Sequence, residues 1–440
     1  MVFNPVASFL QILQPFMPVI INFWWLWAFL ILFFLARSLW LSYIQEYYKR
    51  FDMKYAMVEL KFPREEKRGP RAMEQVFYTV HSCRNAAANF KEKWWDGEVT
   101  QWYSFETVSF GGEIHFYVRL PKKYRNVVEA SFYAHYPDIE ISEAEDYIDR
   151  LPSTYGELHK QGYELFGNEL RLAKPDVFPI RTYIDFEEQV EERQLDPIAS
   201  LLEVLNKLDT RENVLVQIIV RPADDTWREK GEEEVKRIKA SNMVEFKKEG
   251  ERTTFLMRTR EEEHDLSTME RNISKPGFET LLRYVYIAKR EVYSDTVPRR
   301  GVLGAYNQYA SESLNKFAHN VKAWTRTNFW FWPHIFPRIR QRTRQGRIFY
   351  NYRIRWIYEE LKSPVFAKIF KFKFFHWGFA AQRTGRMTLN TEELATIFHP
   401  PTNVVLTGPL IQRVEARKIG PPAGLPIYGG GEGEELPGVK

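Results

Sequence analysis

The residues able to do chemistry are few and scattered. The chain has nine histidines and one cysteine, Cys83. His81 stands two residues before Cys83, but a zinc site needs three or four ligands and there is no second thiol to complete one. His399 precedes Pro400-Pro401, a setting in which a histidine more often packs against a turn than binds a metal. Two carboxylate clusters stand out, Glu143, Glu145, Asp146 and Asp149, then Glu232, Glu233 and Glu234. Clustered carboxylates suit acid–base work only in a pocket that shifts their pKa. Here they read as a solvated strand edge or loop and a solvated helix face. No G-x-x-x-x-G-K-[ST], G-x-S-x-G, H-E-x-x-H or C-x-x-C string occurs. That removes the phosphate loop, the serine-hydrolase elbow, the zinc-protease helix and dithiol redox chemistry. The expectation is a chain that is not an enzyme, with no catalytic residue, cofactor or metal. The lone cysteine also excludes an intrachain disulfide and fits a reducing compartment.

Binding chemistry is better represented. Residues 322–386 hold 15 lysines and arginines against two acids, Glu359 and Glu360, while the whole chain is only +5, so the remainder is net acidic. Aromatics interleave with these cations in NFWFWPHIFPRIRQRTRQGRIFYNYRIRW and FAKIFKFKFFHWGF. Such a run suits anionic lipid headgroups, where cations meet charge and rings enter the interface. It equally suits nucleic acid, where cations meet phosphate and rings stack on bases. A third reading is a helical insert whose rings pack on the body. The candidate surface comprises Arg338, Arg340, Arg342, Arg344, Arg347, Arg353, Arg355, Lys368, Lys371 and Lys373.

The N-terminus carries the clearest physical signal. Residues 16–35, FMPVIINFWWLWAFLILFFL, hold no charge and are long enough to cross a hydrocarbon core of about 30 Å as a helix. Phe16, Trp24, Trp25, Trp27 and Leu35 mark this anchor, with Trp40, Tyr43, Tyr47 and Tyr48 as an aromatic belt. No Lys or Arg precedes it, whereas Arg37, Lys49, Arg50 and Lys54 follow. The positive-inside rule then places the N-terminus outside and the body in the cytoplasm, with a single pass.

Behind the anchor the periodicity predicts an α+β body. A linker helix covers about 42–51. Residues 55–62 alternate with Ala56, Val58, Leu60 and Phe62 on one face, a half-buried strand. Pro70 opens a helix with Met73, Val76, Phe77 and Val80 on one stripe. Strands over 100–110 and 113–120 flank a Gly111-Gly112 hairpin turn, a helix follows over 123–135, and a strand over 138–148. The order β-α-β-β-α-β is that of a ferredoxin-like unit. A second α/β unit, ferredoxin-like or otherwise, is expected from strands over 178–186, 213–221, 252–260 and 278–290. Its helices are one opened by Asp196-Pro197, a charged one over 227–240, and a short one over 268–274. The organisation is thus anchor and linker (1–50), ferredoxin-like domain (51–155), second α/β domain (156–321), basic helical insert (322–386), C-terminal helix and Pro-rich segment (387–426) and a Gly-rich acidic tail (427–440).

Asn390 and Glu393 in TLNTEELATIFHPPT form a capping box, and Pro400-Pro401 stops the helix near His399. With the following VVLTGPLIQRVEARKIGPPAGLP at 404–426, this string resembles the segment just before the motor domain of membrane-anchored bacterial ATPases of the type IV secretion coupling-protein and DNA-pumping kind. ELKFPREEKRGPRAMEQVF at 59–77, FGGEIHFYVRLPKKYRNVVEA at 110–130, LDPIASLLEVLNKL at 195–208 and ISKPGFETLLRYVYIAKR at 273–290 resemble the N-terminal region of the same proteins. The resemblance implies a bacterial inner-membrane location and a tethering and assembly role. In the longer relatives a phosphate-loop ATPase follows the Pro-rich string; here the chain runs only about 14 residues further, so the motor is expected on a separate subunit. Membrane lipid, that ATPase, DNA and a second copy of the chain are the expected partners. The alternative is a membrane-proximal nucleic-acid-binding protein using the basic aromatic insert.

Overall fold

The computed structural model describes residues 18, 22–63, 68–186, 196–241, 243–248, 251–256, 259–327, 336–355, 357, 386–402 and 413–414. Helix α1, Trp24–Tyr47, contributes no buried residue to the body. It is the one helix among the described residues that is long and apolar enough to cross a membrane. It runs without a break into a π-helical turn, Tyr48–Asp52, so the linker helix expected over about 42–51 is continuous with α1.

The body begins with β1 (Tyr55–Pro63) and α2 (Pro70–Ser82), whose Met73, Val76, Phe77 and Val80 are all fully buried, as the 3.6-residue stripe requires. A short helix α3 (Phe90–Trp94) precedes β2 (Tyr103–Phe110) and β3 (Glu113–Pro121). Both turn glycines between them have positive φ, 57° and 94°, the conformation a tight hairpin needs. Next come α4 (Arg125–His135), β4 (Glu140–Glu143), α5 (Tyr155–Lys160), β5 (Tyr163–Leu172), α6 (Ala199–Asn206) and β6 (Glu212–Pro222). An inserted arm carries α7 (Thr226–Ser241), β7 (Met243–Lys248), β8 (Glu251–Leu256) and α8 (Arg260–Ser274). The chain returns through β9 (Gly277–Lys289), α9 (Leu303–Tyr306), β10 (Phe317–His319), α10 (Pro337–Arg353), β11 (Met387–Asn390), α11 (Thr391–Ile397) and the two-residue β12 (Arg413–Val414).

The result is a mixed α+β protein built on one antiparallel sheet of nine strands. Its path is β10-β5-β9-β6-β2-β3-β1-β4, with β11 pairing the start of β9 and β12 adding a short parallel bridge to β1. Among the described residues, β7 and β8 pair only with each other. The stretches read from sequence as two units share this sheet, because β2 and β6 pair over eight residues. Counted from either edge, the strands come in the order fourth, first, third, second of their own half, so the two halves are arranged about the β2–β6 seam like images under a twofold axis. One face is covered by α2, α4, α6, α9 and α11, which pack on Val58, Phe105, Phe116, Val216, Leu282 and Tyr284. The other face is covered mainly by α10, whose Ile348, Phe349 and Tyr352 pack on Val108, Leu215 and Val285.

Three sequence expectations are corrected. Residues 178–186 form no strand but an extended stretch and a 3-10 turn, Tyr183–Asp185. Two of their backbone N–H groups are taken by α11, Ile180 donating to Glu393 Oε1 and Tyr183 to Thr396 Oγ1, each at 3.0 Å. The strand is β5, upstream. The strand expected over 138–148 stops at Glu143, where the chain turns so that Asp146 can cap the 3-10 turn Tyr147–Arg150. The strand expected over 252–260 ends at Leu256; Thr259 and Glu262 form a capping box that starts α8 well before the short helix predicted around 268–274.

Candidate functional site

The face under α10 carries a row of polar side chains where a sheet ordinarily places apolar ones. Gln217 of β6 stands opposite Glu106 of β2 on one side and Arg283 of β9 on the other, and Arg283 stands opposite Glu169 of β5. All four are buried, none above 1% exposed. The row conducts hydrogen bonds across the sheet. Arg283 donates to Glu169 Oε1 through Nε at 3.0 Å and Nη2 at 2.8 Å, and to Gln217 Oε1 through Nη1 at 3.3 Å. Gln217 Nε2 donates to Glu106 Oε1 at 3.0 Å.

The end of α10 plugs into this row. At the helix terminus the Asn351 carbonyl accepts from Arg283 Nη1 at 2.8 Å, and the Tyr352 carbonyl accepts from Arg355 N at 3.1 Å and from Gln217 Nε2 at 3.3 Å. Arg355, one turn beyond, is 2% exposed and sits at φ 50°, a left-handed conformation that a non-glycine residue adopts only when its surroundings compel it. Its guanidinium forks onto two carboxylates. Nε and Nη2 reach Glu106 at 2.6 and 3.1 Å, while Nη1 and Nη2 reach Asp146 at 2.6 and 2.9 Å. Tyr147 OH donates to Glu106 Oε2 at 2.6 Å and meets Tyr352 OH at 2.6 Å. Burial alone would raise the Glu106 carboxyl, but the Arg355 charge and its hydrogen bonds outweigh that and hold it below the usual range. The same balance lowers Asp146. Burial pushes the Tyr147 and Tyr352 hydroxyls well above the usual tyrosine value, which makes both poor proton donors. Arg119, near these carboxylates, is lowered to about 10 by burial and by the Arg355 charge. Three arginines therefore face three carboxylates, and the charge closes on itself. Chemically the row fastens α10 to four strands, β2, β6, β9 and β5.

A second buried network holds α11. Lys275 Nζ bridges Glu74 of α2 at 2.6 Å and Glu392 of α11 at 2.7 Å. Glu74 also accepts from Tyr183 OH at 2.7 Å and Thr391 Oγ1 at 3.2 Å. The expected capping box is present, Asn390 Oδ1 accepting from Glu393 N at 2.7 Å and Glu393 Oε2 from Asn390 N at 3.0 Å. Burial raises the Glu393 carboxyl to about 8 against the pull of those N–H donors. Just past the helix, His399 packs as a turn residue, its Nε2 at 2.8 Å from Asp196 Oδ1 and its Nδ1 at 2.9 Å from the Ala395 carbonyl. Asp196 also accepts from Thr402 N at 2.8 Å and Thr402 Oγ1 at 2.7 Å. Burial opposes its ionisation, yet His399 and Thr402 bring it down to about 2.

The predicted surface residues divide. Arg338 and Arg342 of α10 are exposed, and Arg340, Arg344 and Arg347 half-buried. Arg344 Nη1 donates to the Trp324 and Arg326 carbonyls, both at 3.3 Å. Arg353 turns inward to the carbonyls of Ile148, Leu151 and Pro152, at 2.8, 3.2 and 3.1 Å. Arg355 is buried in the clasp just described, which removes it from any binding surface, and Asp146 is its partner rather than part of a solvated loop. Lys368, Lys371 and Lys373 lie outside the described residues, as does Phe16. In the anchor, Trp24, Trp25 and Trp27 are exposed and Leu35 half-buried. Among the described residues no group of three or more His, Cys, Asp or Glu is placed to hold a metal, and burial raises the Cys83 thiol. The polar row itself was missed in sequence. Its signal is a single charged or amide residue inside an apolar strand, as in VLVQIIV around Gln217 and LLRYVYIA around Arg283.

Residues 38–349 match the family described as Domain of unknown function (DUF8128), and over that majority of its length the chain belongs to this family. The comparison with curated proteins finds no match.

Proposed function

We propose that this DUF8128 member is a non-catalytic, membrane-tethered assembly module whose α+β body docks a separate phosphate-loop ATPase of a type IV secretion or DNA-translocation system. One observation carries the reading. The buried ionic groups are satisfied by one another, in the Glu106–Arg355 clasp and the Lys275 network, which suits a stiff platform joined to an anchor. The identity of the partner rests on the resemblance of the strings at 59–77, 110–130, 195–208, 273–290 and 388–426. The cations after α1 support an N-out, body-in placement in a bacterial inner membrane. The test is co-purification of the tagged full-length chain from membranes in mild detergent. Recovery of a phosphate-loop ATPase in constant ratio supports the module; a chain that elutes alone removes the basis of the idea.

A second reading, nucleic-acid binding by α10, is favoured over lipid binding by the position of its arginines. Six arginines and no acid lie between Pro337 and Arg353. The arginine-rich end is continuous with Gln345, which is fixed to Glu164 and Leu165, each at 2.7 Å. Ile357, beyond the other end, packs with Met53 at the foot of the anchor. Along β9 these two levels correspond to Ile287 and Leu281, roughly 20 Å apart at strand rise. The arginines thus stand at the end of the sheet away from the membrane helix. This reading predicts DNA affinity that falls steeply with salt and drops on neutralising Arg338, Arg340, Arg342, Arg344 and Arg347; a salt-insensitive or absent interaction counts against it.

A further inference from the structure

The foot of the anchor is not bare. Helix α3 packs directly on α1. Trp40 Nε1 donates to the Trp94 carbonyl at 2.8 Å, and the Arg37 guanidinium lies 4.4 Å from the centroid of the Trp94 ring. Gly97, at φ 67°, brings its backbone so close to α1 that a Cβ there would stand 2.5 Å from the Ile44 carbonyl oxygen. Glu92 holds the loop from within. It completes a capping box with Asn89, accepts from Ala88 N at 2.7 Å, and its own carbonyl accepts from Glu98 N at 2.8 Å. A loop fixed this firmly nonetheless presents its largest apolar side chains outward. Phe90 is 81% and Trp95 71% exposed, with Phe90 stacked on Trp94 at 6.1 Å between centroids. Lys91 and Lys93, also exposed, lie between them.

Depth along the anchor explains the exposure. The uncharged run ends before Arg37, so Arg37 marks the hydrocarbon boundary. Trp40 and Ile44, the points where the loop is docked, lie about 5 and 10 Å further along a helix rising about 1.5 Å per residue. The stretch from Arg37, itself against the Trp94 ring, to Ile44 includes the headgroup layer, roughly 5 to 8 Å deep on each side of the core. The docked loop therefore sits at the depth where aromatic rings and lysines are stable together, rings at the acyl boundary and ammonium groups among phosphates. Trp40 and Tyr43, exposed on α1 at the same levels, continue the collar.

We propose that Phe90 and Trp95, with Lys91 and Lys93, form a second membrane contact that enters the headgroup–acyl boundary of an anionic bilayer beside α1 and fixes the tilt of the body against the membrane. This rests on the reading of α1 as a membrane anchor, and the experiment separates the two. In the full-length chain carrying Cys83→Ser, single cysteines at Phe90, Trp95, Leu32 or Glu113 are labelled with an environment-sensitive fluorophore. The protein is reconstituted in phosphatidylcholine–phosphatidylglycerol vesicles. Leu32 reports the anchor; Glu113, beside the Gly111-Gly112 turn at the far end of the sheet, reports water. The contact predicts that labels at Phe90 and Trp95 shift to the blue and are quenched several-fold more by shallow spin-labelled lipid than the Glu113 label. A quenched Leu32 label with Phe90 and Trp95 labels as water-exposed as Glu113 overturns the contact and leaves the anchor. An unquenched Leu32 label overturns the anchor, and the contact with it. Labels at Phe90 and Trp95 shielded from both lipid quencher and aqueous iodide assign the patch to a protein partner and overturn the lipid assignment.

Discussion

The two halves of the sheet share a strand order and differ in what hangs from it. In the first half, β2 and β3 are joined by two glycines. In the second, the equivalent link between β6 and β9 is the arm of residues 223–276, with α7, the β7–β8 hairpin and α8. The first half is bonded to α1, and the second supports α10 and the start of α11. The comparison teaches that the frame is repeated while the attachments are not, and the buried polar row is what joins the halves under one cover. Glu106 comes from the first half, Gln217, Arg283 and Glu169 from the second, and α10 closes over all of them.

The largest expected effect comes from breaking that joint. Arg355→Ala leaves Glu106 and Asp146 facing each other without their cation. Removing one member of a buried ion pair costs about 3–5 kcal/mol, so chemical denaturation of the detergent-solubilised chain should show a loss of that order. A loss under about 1 kcal/mol would mean that the halves hold together without the clasp.

Next is the pH response of the covering segment. Asp196, ordinarily near 3.8 and held at about 2, binds fewer protons folded than unfolded. Its contribution, on the order of 2 kcal/mol, is complete above the ordinary value and lost as pH falls through about 2. Asp196→Asn should flatten the acid limb of the stability curve. Glu393 has the opposite sign. It is raised from 4.5 to about 8, so it keeps its proton longer in the fold and lowers stability as pH climbs between those values. Glu393→Gln should flatten the slope in that window whatever it does to absolute stability, and an unchanged slope would contradict the assignment.

Smaller effects should come from the attachments. Replacing the β7–β8 hairpin by a short glycine linker should change stability by less than about 1 kcal/mol, because among the described residues the hairpin pairs only with itself. A larger loss would show that the arm supports the frame. Arg338→Glu with Arg342→Glu, on the exposed side of α10, should leave stability within about 0.5 kcal/mol while weakening any binding of anionic ligands.

Legibility in sequence followed the same division. Strand β1 was plain from alternation at Ala56, Val58, Leu60 and Phe62, the β2–β3 hairpin from Gly111-Gly112, and the start of α11 from Asn390 and Glu393, because each is a local signal. Strand β5 was not, since Gly167, Asn168 and Glu169 interrupt its apolar run. Glu169 is polar because of Arg283, more than a hundred residues away. Residues 178–186 look like a strand for the mirror reason: their apolar residues are real, but Ile180 and Tyr183 bond to side chains of α11 rather than to a neighbouring strand. Asp146 looked solvated because its partner, Arg355, is brought to it only by the fold. Phe90 and Trp95 gave no periodic signal, and their place became visible only once the loop was seen docked on α1.

The central claim, that the body is a docking platform held at a membrane, is tested most directly by the mass of what the chain carries. Native mass spectrometry of the full-length protein released from its own membranes should show the 52.4 kDa chain bound to an ATPase subunit in fixed ratio. The 52.4 kDa chain alone, in single copies after the gentlest extraction, would contradict it.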